Sequence, residues 1–167
     1  QAFHYKEGFG DTPEGWTLTN TFLTSSGSNV NNEYDGIKAV KMKGVESTIE
    51  TADYATANAF TYWIMPKAES ATVKVEKSID AGASWTELET YTATAGELDV
   101  YQKRTLTVED NSEAVRIKIT CAGGADGDAI FYIDDLGLTK MEAAADDPTL
   151  AEITVNGDAI NGFKGDS

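Results

Sequence analysis

At 167 residues, 41% of them hydrophobic, the chain has room for one domain with a buried core and some remainder. Its formal net charge of −15, from 13 basic and 28 acidic side chains, excludes nucleic acid as a partner, because phosphate binding needs a basic surface. An anionic membrane surface is disfavoured for the same reason, no apolar run is long enough to insert in a bilayer, and Gln1, with no signal peptide before it, reads as the start of a mature chain or of a cut piece.

Residues 2–9 (AFHYKEGF) predict a first strand, and the turn-rich GDTPEGW follows and ends on Trp16. Residues 17–24 alternate weakly, and 25–36 (SSGSNVNNEYDG) form a polar loop long enough to be functional or mobile. Strands then follow closely at 37–42, 45–51, 58–65, 70–77, 84–91, 100–108, 114–121 and 129–139. Turn signals separate them at Met42-Lys43-Gly44, Asp110-Asn111-Ser112 and Gly123 to Gly127. Short, closely spaced strands without helices predict an all-β fold, an antiparallel two-sheet β-sandwich and most simply a jelly roll, over residues 1–140.

The most regular stretch is Val73 to Tyr91. Val73 and Val75 oppose Lys74 and Glu76, and Ser78-Ile79-Asp80-Ala81-Gly82-Ala83-Ser84-Trp85 then turns the chain. Asp80 can accept N–H bonds within that turn, and Trp85 can fold back over the hairpin. The pattern resembles the Asp-box of sialidase-like proteins and of several secreted β-modules. It marks a hairpin and says little about chemistry.

Composition shifts after Lys140. Residues 141–148 read as an acidic, proline-containing linker, and 149–167 as the truncated opening strands of a following immunoglobulin-like β-domain. Charge divides accordingly, with 12 basic against 22 acidic side chains up to residue 140 and 1 against 6 beyond it.

Glu7-x-Phe9, Pro13-x-Gly15-Trp16, Tyr62-Trp63, the Asp80 hairpin and Phe131-Tyr132-Ile133-Asp134-Asp135-Leu136 occur in that order. The series resembles cleaved-adhesin or choice-of-anchor J domains, relatives of MAM and carbohydrate-binding jelly rolls, over about residues 3–140. The resemblance implies a module of a secreted or outer-surface multidomain bacterial protein, beside protease, glycan-degrading or adhesin domains. It also implies a structural calcium joining the first strand to the last through Glu7 and Asp134, with Asp135 as a neighbour. Oxygen donors of this kind, completed by carbonyls and water, suit Ca²⁺. The Asp-Gly-rich loop that many relatives carry after Gly-Trp is missing here. The residues alone leave a plainer arrangement open, in which Asp134 and Asp135 accept backbone bonds at a strand bend and Glu7 is solvated.

No HExxH, GxSxG, P-loop or GxGxxG is present, so no enzyme is expected. Glu87 and Glu89 share a strand face by parity, and Asp126 and Asp128 could approach Asp134 and Asp135. Cys121 predicts a buried, inert thiol, and His4 lies in a strand. Sugars bind by stacking C–H faces on aromatic rings while amides and carboxylates take their hydroxyls. The aromatics outside the core pattern are Tyr34, beside Asn31 and Asn32 in the polar loop, Tyr54 between strands, and Tyr101 at a strand start. Tyr34, Tyr54, Asn32 and Tyr101 are therefore the candidate ligand contacts, whereas Trp16, Phe60, Tyr62, Trp85, Phe131 and Ile133 read as core or hairpin cover. The expected function is a monomeric, non-catalytic carbohydrate-binding module that positions neighbouring domains of its own chain on a glycan. The alternative is a structural or adhesive spacer that binds a cell-surface protein or nothing, stiffened by calcium.

Overall fold

The computed structural model describes residues 1–142. The predicted linker, apart from Met141 and Glu142, and the predicted immunoglobulin-like strands lie outside the described residues.

Eleven strands form the described domain: β1 (Phe3–Glu7), β2 (Thr17–Thr19), β3 (Thr21–Thr24), β4 (Ala39–Lys43), β5 (Val45–Glu50), β6 (Ala57–Pro66), β7 (Thr72–Ser78), β8 (Thr86–Thr92), β9 (Gln102–Asp110), β10 (Arg116–Gly123) and β11 (Ala129–Thr139). They pair antiparallel in two sheets. One has the order β3-β4-β11-β6-β9, with β1 added on β11; the other runs β2-β5-β10-β7-β8. We call them the β11 sheet and the β10 sheet. Alternation builds the core between them. Phe60, Tyr62 and Ile64 of β6 and Phe131 and Ile133 of β11 meet Val73 and Val75 of β7 and Ile117, Ile119 and Cys121 of β10, all buried.

The weakly alternating stretch 17–24 is two strands in different sheets. β2 pairs with β5, β3 pairs with β4, and Asn20 between them has a positive φ of 54°. The Asn20 amide donates to the carbonyls of Gly44 and Glu46, at 3.2 and 2.9 Å, at the point where β4 and β5 also change sheets. The predicted turn at Met42–Gly44 is accordingly a corner beginning at Gly44, and Met42 is core. Corners of this kind carry strands from one sheet of a sandwich to the other.

The side where β8 and β9 face each other is closed by a polar clamp. Arg104 donates to both Glu89 oxygens, its Nε at 3.0 Å from each, and the Tyr62 hydroxyl donates to Glu89 at 2.8 Å. Parity put Glu87 and Glu89 on one face; a register shift in β7–β8 pairing separates them. Glu89 stands opposite core-facing Val75 and Glu87 opposite Glu76.

Candidate functional site

The middle of β11 is where the molecule departs from a plain sandwich. One edge of β11 pairs with β4 as far as Ile133 and then with β1 from Leu136. On the other edge the register against β6 shifts between Asp134 and Gly137. Asp134 and Asp135 stand at this handover, both fully buried, and Asp135 has a φ of 53°, which Asp tolerates better than most side chains.

Two carboxylates inside a protein require donors, and the polar loop supplies them. The Asn31 N–H donates to Asp134 Oδ2 at 2.9 Å, the Asn31 amide to Asp135 Oδ2 at 2.6 Å, and the N–H groups of Glu33 and Tyr34 to Asp135 at 2.9 and 3.2 Å. Asp134 Oδ1 takes the N–H of Asp135. Burial pushes the Asp134 carboxyl up to about 7, the charges of Asp135 and Glu7 push in the same direction, and the Asn31 bond opposes them.

Other bonds fasten the rest of the loop. The half-buried Tyr101 hydroxyl donates to the Asn29 carbonyl at 2.7 Å, and burial followed by the charges of Asp134 and Asp135 raises its pKa. Glu33 accepts from the Trp63 indole at 2.6 Å and from Lys103 at 2.9 Å. Burial is the largest single influence on Glu33 and opposes its ionisation, but those two donors with the charges of Lys103 and Lys6 together outweigh it and hold its carboxyl below the usual range. The loop then crosses the end of β1 backbone to backbone. A Cβ on Gly8 would strike the Asp35 carbonyl, and one on Gly36 would strike the Gly8 carbonyl. Phe9, buried with a φ of 61°, takes the Ile37 and Lys38 N–H groups on its carbonyl and gives its own N–H to Glu7 Oε2 at 2.9 Å. Glu7 is therefore a turn anchor, half-buried, with burial raising its carboxyl.

The loop so held covers the outer surface of the β11 sheet and leaves a hollow of about 290 Å³ lined by Lys6, Glu33, Tyr34 and Asp35. Tyr34 fits there because Gly137 has no side chain. A Cβ at that position would stand 2.9 Å from the Tyr34 hydroxyl and 2.9 Å from Thr61 Oγ1, which is buried without a partner among the described residues. Phe3 packs edge-on against Tyr34, and Lys6 Nζ lies 4.7 Å from the centre of the Phe3 ring.

The structure thus gathers most of the predicted residues in one place. Tyr34 and Asn32 are on the loop, Tyr101, Asp134 and Asp135 beneath it, and Glu7 at its exit. Tyr54 is elsewhere. It packs on Tyr5 at 5.0 Å on the core side of β1, and its hydroxyl accepts the Trp16 indole N–H at 2.9 Å. Asp126 and Asp128, exposed on the β10–β11 turn, do not join Asp134 and Asp135 in a metal-holding group. Cys121 is buried and its thiol raised by that burial, and His4 Nε2 lies 2.8 Å from the Thr56 carbonyl. Sequence reading named Trp63 in the motif series but not as a ligand contact. Its signal is parity: with Phe60, Tyr62 and Ile64 inward, Trp63 must face outward, and it is partly exposed beside Glu33 and Lys103.

Glu7, Asp134 and Asp135 have the hard oxygen donors Ca²⁺ prefers, and none of them has a basic partner within ion-pair range among the described residues. Yet among those residues no three His, Cys, Asp or Glu side chains converge as a metal group. Glu7 and Asp134 would be at most part of a ligand set completed by carbonyls and water.

The outer face of the β10 sheet is different. One row across its five strands reads Thr19, Thr48, Thr120, Lys74 and Thr90, and the next Glu46, Ala122, Thr72 and Thr92. They form a shallow groove of about 260 Å³ with small side chains on its floor.

With this geometry in hand, comparison with solved structures is decisive for the fold. The K3 cleaved adhesin domain of Lys-gingipain from Porphyromonas gingivalis superposes with a TM-score of 0.60 at 12% identity, over 84% of this chain and 100% of that one. The fold is that of the cleaved-adhesin and carbohydrate-binding jelly rolls. TmCBM61, solved in complex with β-1,4-galactotriose, matches with a TM-score of 0.57 at 12% identity, over 82% of this chain and 100% of that one. The CBM22-1–GH10 modules of Clostridium thermocellum endo-1,4-β-D-xylanase 10B, complexed with xylohexaose, match with a TM-score of 0.58 at 15% identity, over 84% of this chain and 29% of that one. No protein-family model and no curated protein sequence matches the chain. No helix among the described residues is long and apolar enough to cross a membrane.

Proposed function

We propose that this domain is a non-catalytic carbohydrate-binding module of a secreted or surface-exposed multidomain protein, acting as a monomer that holds neighbouring domains on a glycan. The observation that carries the reading is the hollow of about 290 Å³ where Tyr34, Glu33, Asp35 and Lys6 meet. It offers an aromatic ring for a sugar's C–H face and charged groups for its hydroxyls, on a loop already fixed before ligand arrives, so little ordering entropy opposes binding. The domain's only cysteine and histidine are committed to packing and to a backbone carbonyl, and support no nucleophilic mechanism. The galactotriose in complex with TmCBM61, a module of the same fold, supports the ligand class. Retention of residues 1–167 on immobilised neutral polysaccharides, weakened about tenfold in Tyr34→Ala, is the expected result. No retention on any glycan would overturn the proposal.

A second reading, a spacer or adhesive domain stiffened by calcium, is favoured by one observation. Burial raises Asp134, the charges of Asp135 and then Glu7 add to it, and among the described residues no basic side chain lies within ion-pair range of Glu7 or Asp134 to supply a positive charge. A bound Ca²⁺ would supply that positive charge at Glu7 and Asp134, with Asp135 keeping the loop. Melting with Ca²⁺ and with EDTA tests it: a higher melting temperature in Ca²⁺, absent in Asp134→Asn, supports the cation, and equal melting refutes it.

A further inference from the structure

If the hollow holds a glycan, as proposed, a further aromatic ring stands beside it on β6. Trp63 is the outward residue of β6 opposite Lys103 of β9. Its indole N–H donates to Glu33 Oε1 at 2.6 Å, while Lys103 Nζ holds Glu33 Oε2 at 2.9 Å. The loop's carboxylate, positioned by the buried Asp135, therefore fixes one edge of the ring from above, and the neighbouring strand fixes the carboxylate. Trp16 also donates its indole N–H, but from within the core; Trp63 does so on the outer face of the sheet, where the bond holds a partly exposed ring at a set angle, as a flat partner requires.

The charges around it restrict that partner. Glu33 is a wall of the hollow and, with two donors already on it, stays ionised; Asp35 is a second carboxylate of the same wall. Lys103 is spent on Glu33, and of the four side chains that line the hollow Lys6 is the one base, on a chain of formal charge −15. Carboxylate oxygens only accept hydrogen bonds, so the partner must bring donors. Sugar hydroxyls do. A uronic acid would set its own carboxylate against Glu33 and Asp35.

We infer that Trp63, oriented by Glu33 and Lys103, is a stacking platform for a pyranose ring, and that the site selects neutral glycans over uronate-bearing ones. Glu33 and Lys103 act as positioning residues.

The test titrates the whole chain with xylohexaose, cellohexaose and β-1,4-galactotriose as neutral probes and hexagalacturonate as the acidic one, by calorimetry and tryptophan emission. At least one neutral probe should bind and hexagalacturonate should not. Trp63→Ala should weaken that neutral binding about tenfold with an unchanged melting temperature. Trp63→Phe, which keeps a ring, should hold most of the affinity while abolishing the ligand-induced change in emission, which covers the case of an alanine variant that fails to fold. Glu33→Gln combined with Asp35→Asn should admit hexagalacturonate. Neutral binding unchanged in Trp63→Ala, an emission change that survives in Trp63→Phe, or tighter binding of hexagalacturonate than of the neutral probes would each overturn the inference while leaving glycan binding intact. Wild-type silence toward all four probes would overturn the proposed function itself, and this inference with it.

Discussion

The two sheets bury similar aliphatic and aromatic side chains toward each other but treat their outer faces in opposite ways. The β10 sheet gives its outer face to threonines, Lys74 and Glu46, and farther along β10 to Lys118 beneath Trp85 and Arg116 beside Glu50 and Asp53, all solvated surface contacts that bury no carboxylate. The β11 sheet interrupts its own pairing at Asp134 and Asp135, buries both carboxylates, and uses them to hold a loop more than a hundred residues away in sequence. Burying unpaired charge costs stability. A sandwich that needed only to fold would be cheaper with the arrangement of its β10 sheet on both sides. The difference separates a surface that merely meets water from one built to a shape.

The largest way to break the contrast is Asp135→Ala, which removes the acceptor for three N–H donors of the loop and leaves an alanine at positive φ. Denaturant unfolding should show a loss of about 3 kcal/mol, with glycan retention abolished. Next is Gly137→Ala, where the new Cβ must displace both Tyr34 and Thr61. It should cost about 1–2 kcal/mol by the same measurement and weaken retention. Tyr34→Ala separates structure from function: affinity electrophoresis should show binding reduced about tenfold, with the melting temperature little changed. The matched substitution on the other face, Thr90→Ala with Thr120→Ala, should leave retention as it was and stability within about 0.5 kcal/mol. The smallest effect belongs to neither face. Burial raises Asp110, but bonds from Lys77 and Ser112 outweigh it and hold its carboxyl down at about 2. Its folded pKa lies below its unfolded value, so its contribution is complete above about pH 4 and is lost as pH falls toward 2. Asp110→Asn should flatten the acid limb of a thermal-stability profile and leave glycan retention at pH 7 intact.

Most of the sandwich was legible because parity and turn residues are local. Val73 and Val75, or Ile117 and Ile119, announce a half-buried strand by themselves. The failures share one cause: parity assumes an unbroken register. Asn20 moves the chain between sheets, the shift in β7–β8 pairing turns Glu89 away from Glu87, and the break at Asp134–Asp135 lets adjacent residues both face a loop. The site was partly legible. Tyr34 stood out as an aromatic in a polar loop, whereas Asp134 and Asp135 were marked only by the family resemblance. That these belong to one construction is a tertiary fact, fixed by hydrogen bonds between residues about a hundred positions apart. Tyr54 showed the same local signal as Tyr34, yet packing against Tyr5 and Trp16 places it on the other side of β1.

The most direct measurement is an amide and indole NMR titration of the isotope-labelled chain with a neutral glycan that it retains. The account predicts shifts confined to Asn31 through Gly36, Lys6 and the Trp63 indole, with Thr48, Thr72 and Thr120 undisturbed. Shifts centred on those threonines, with the loop silent, would contradict it and move the binding surface to the β10 sheet.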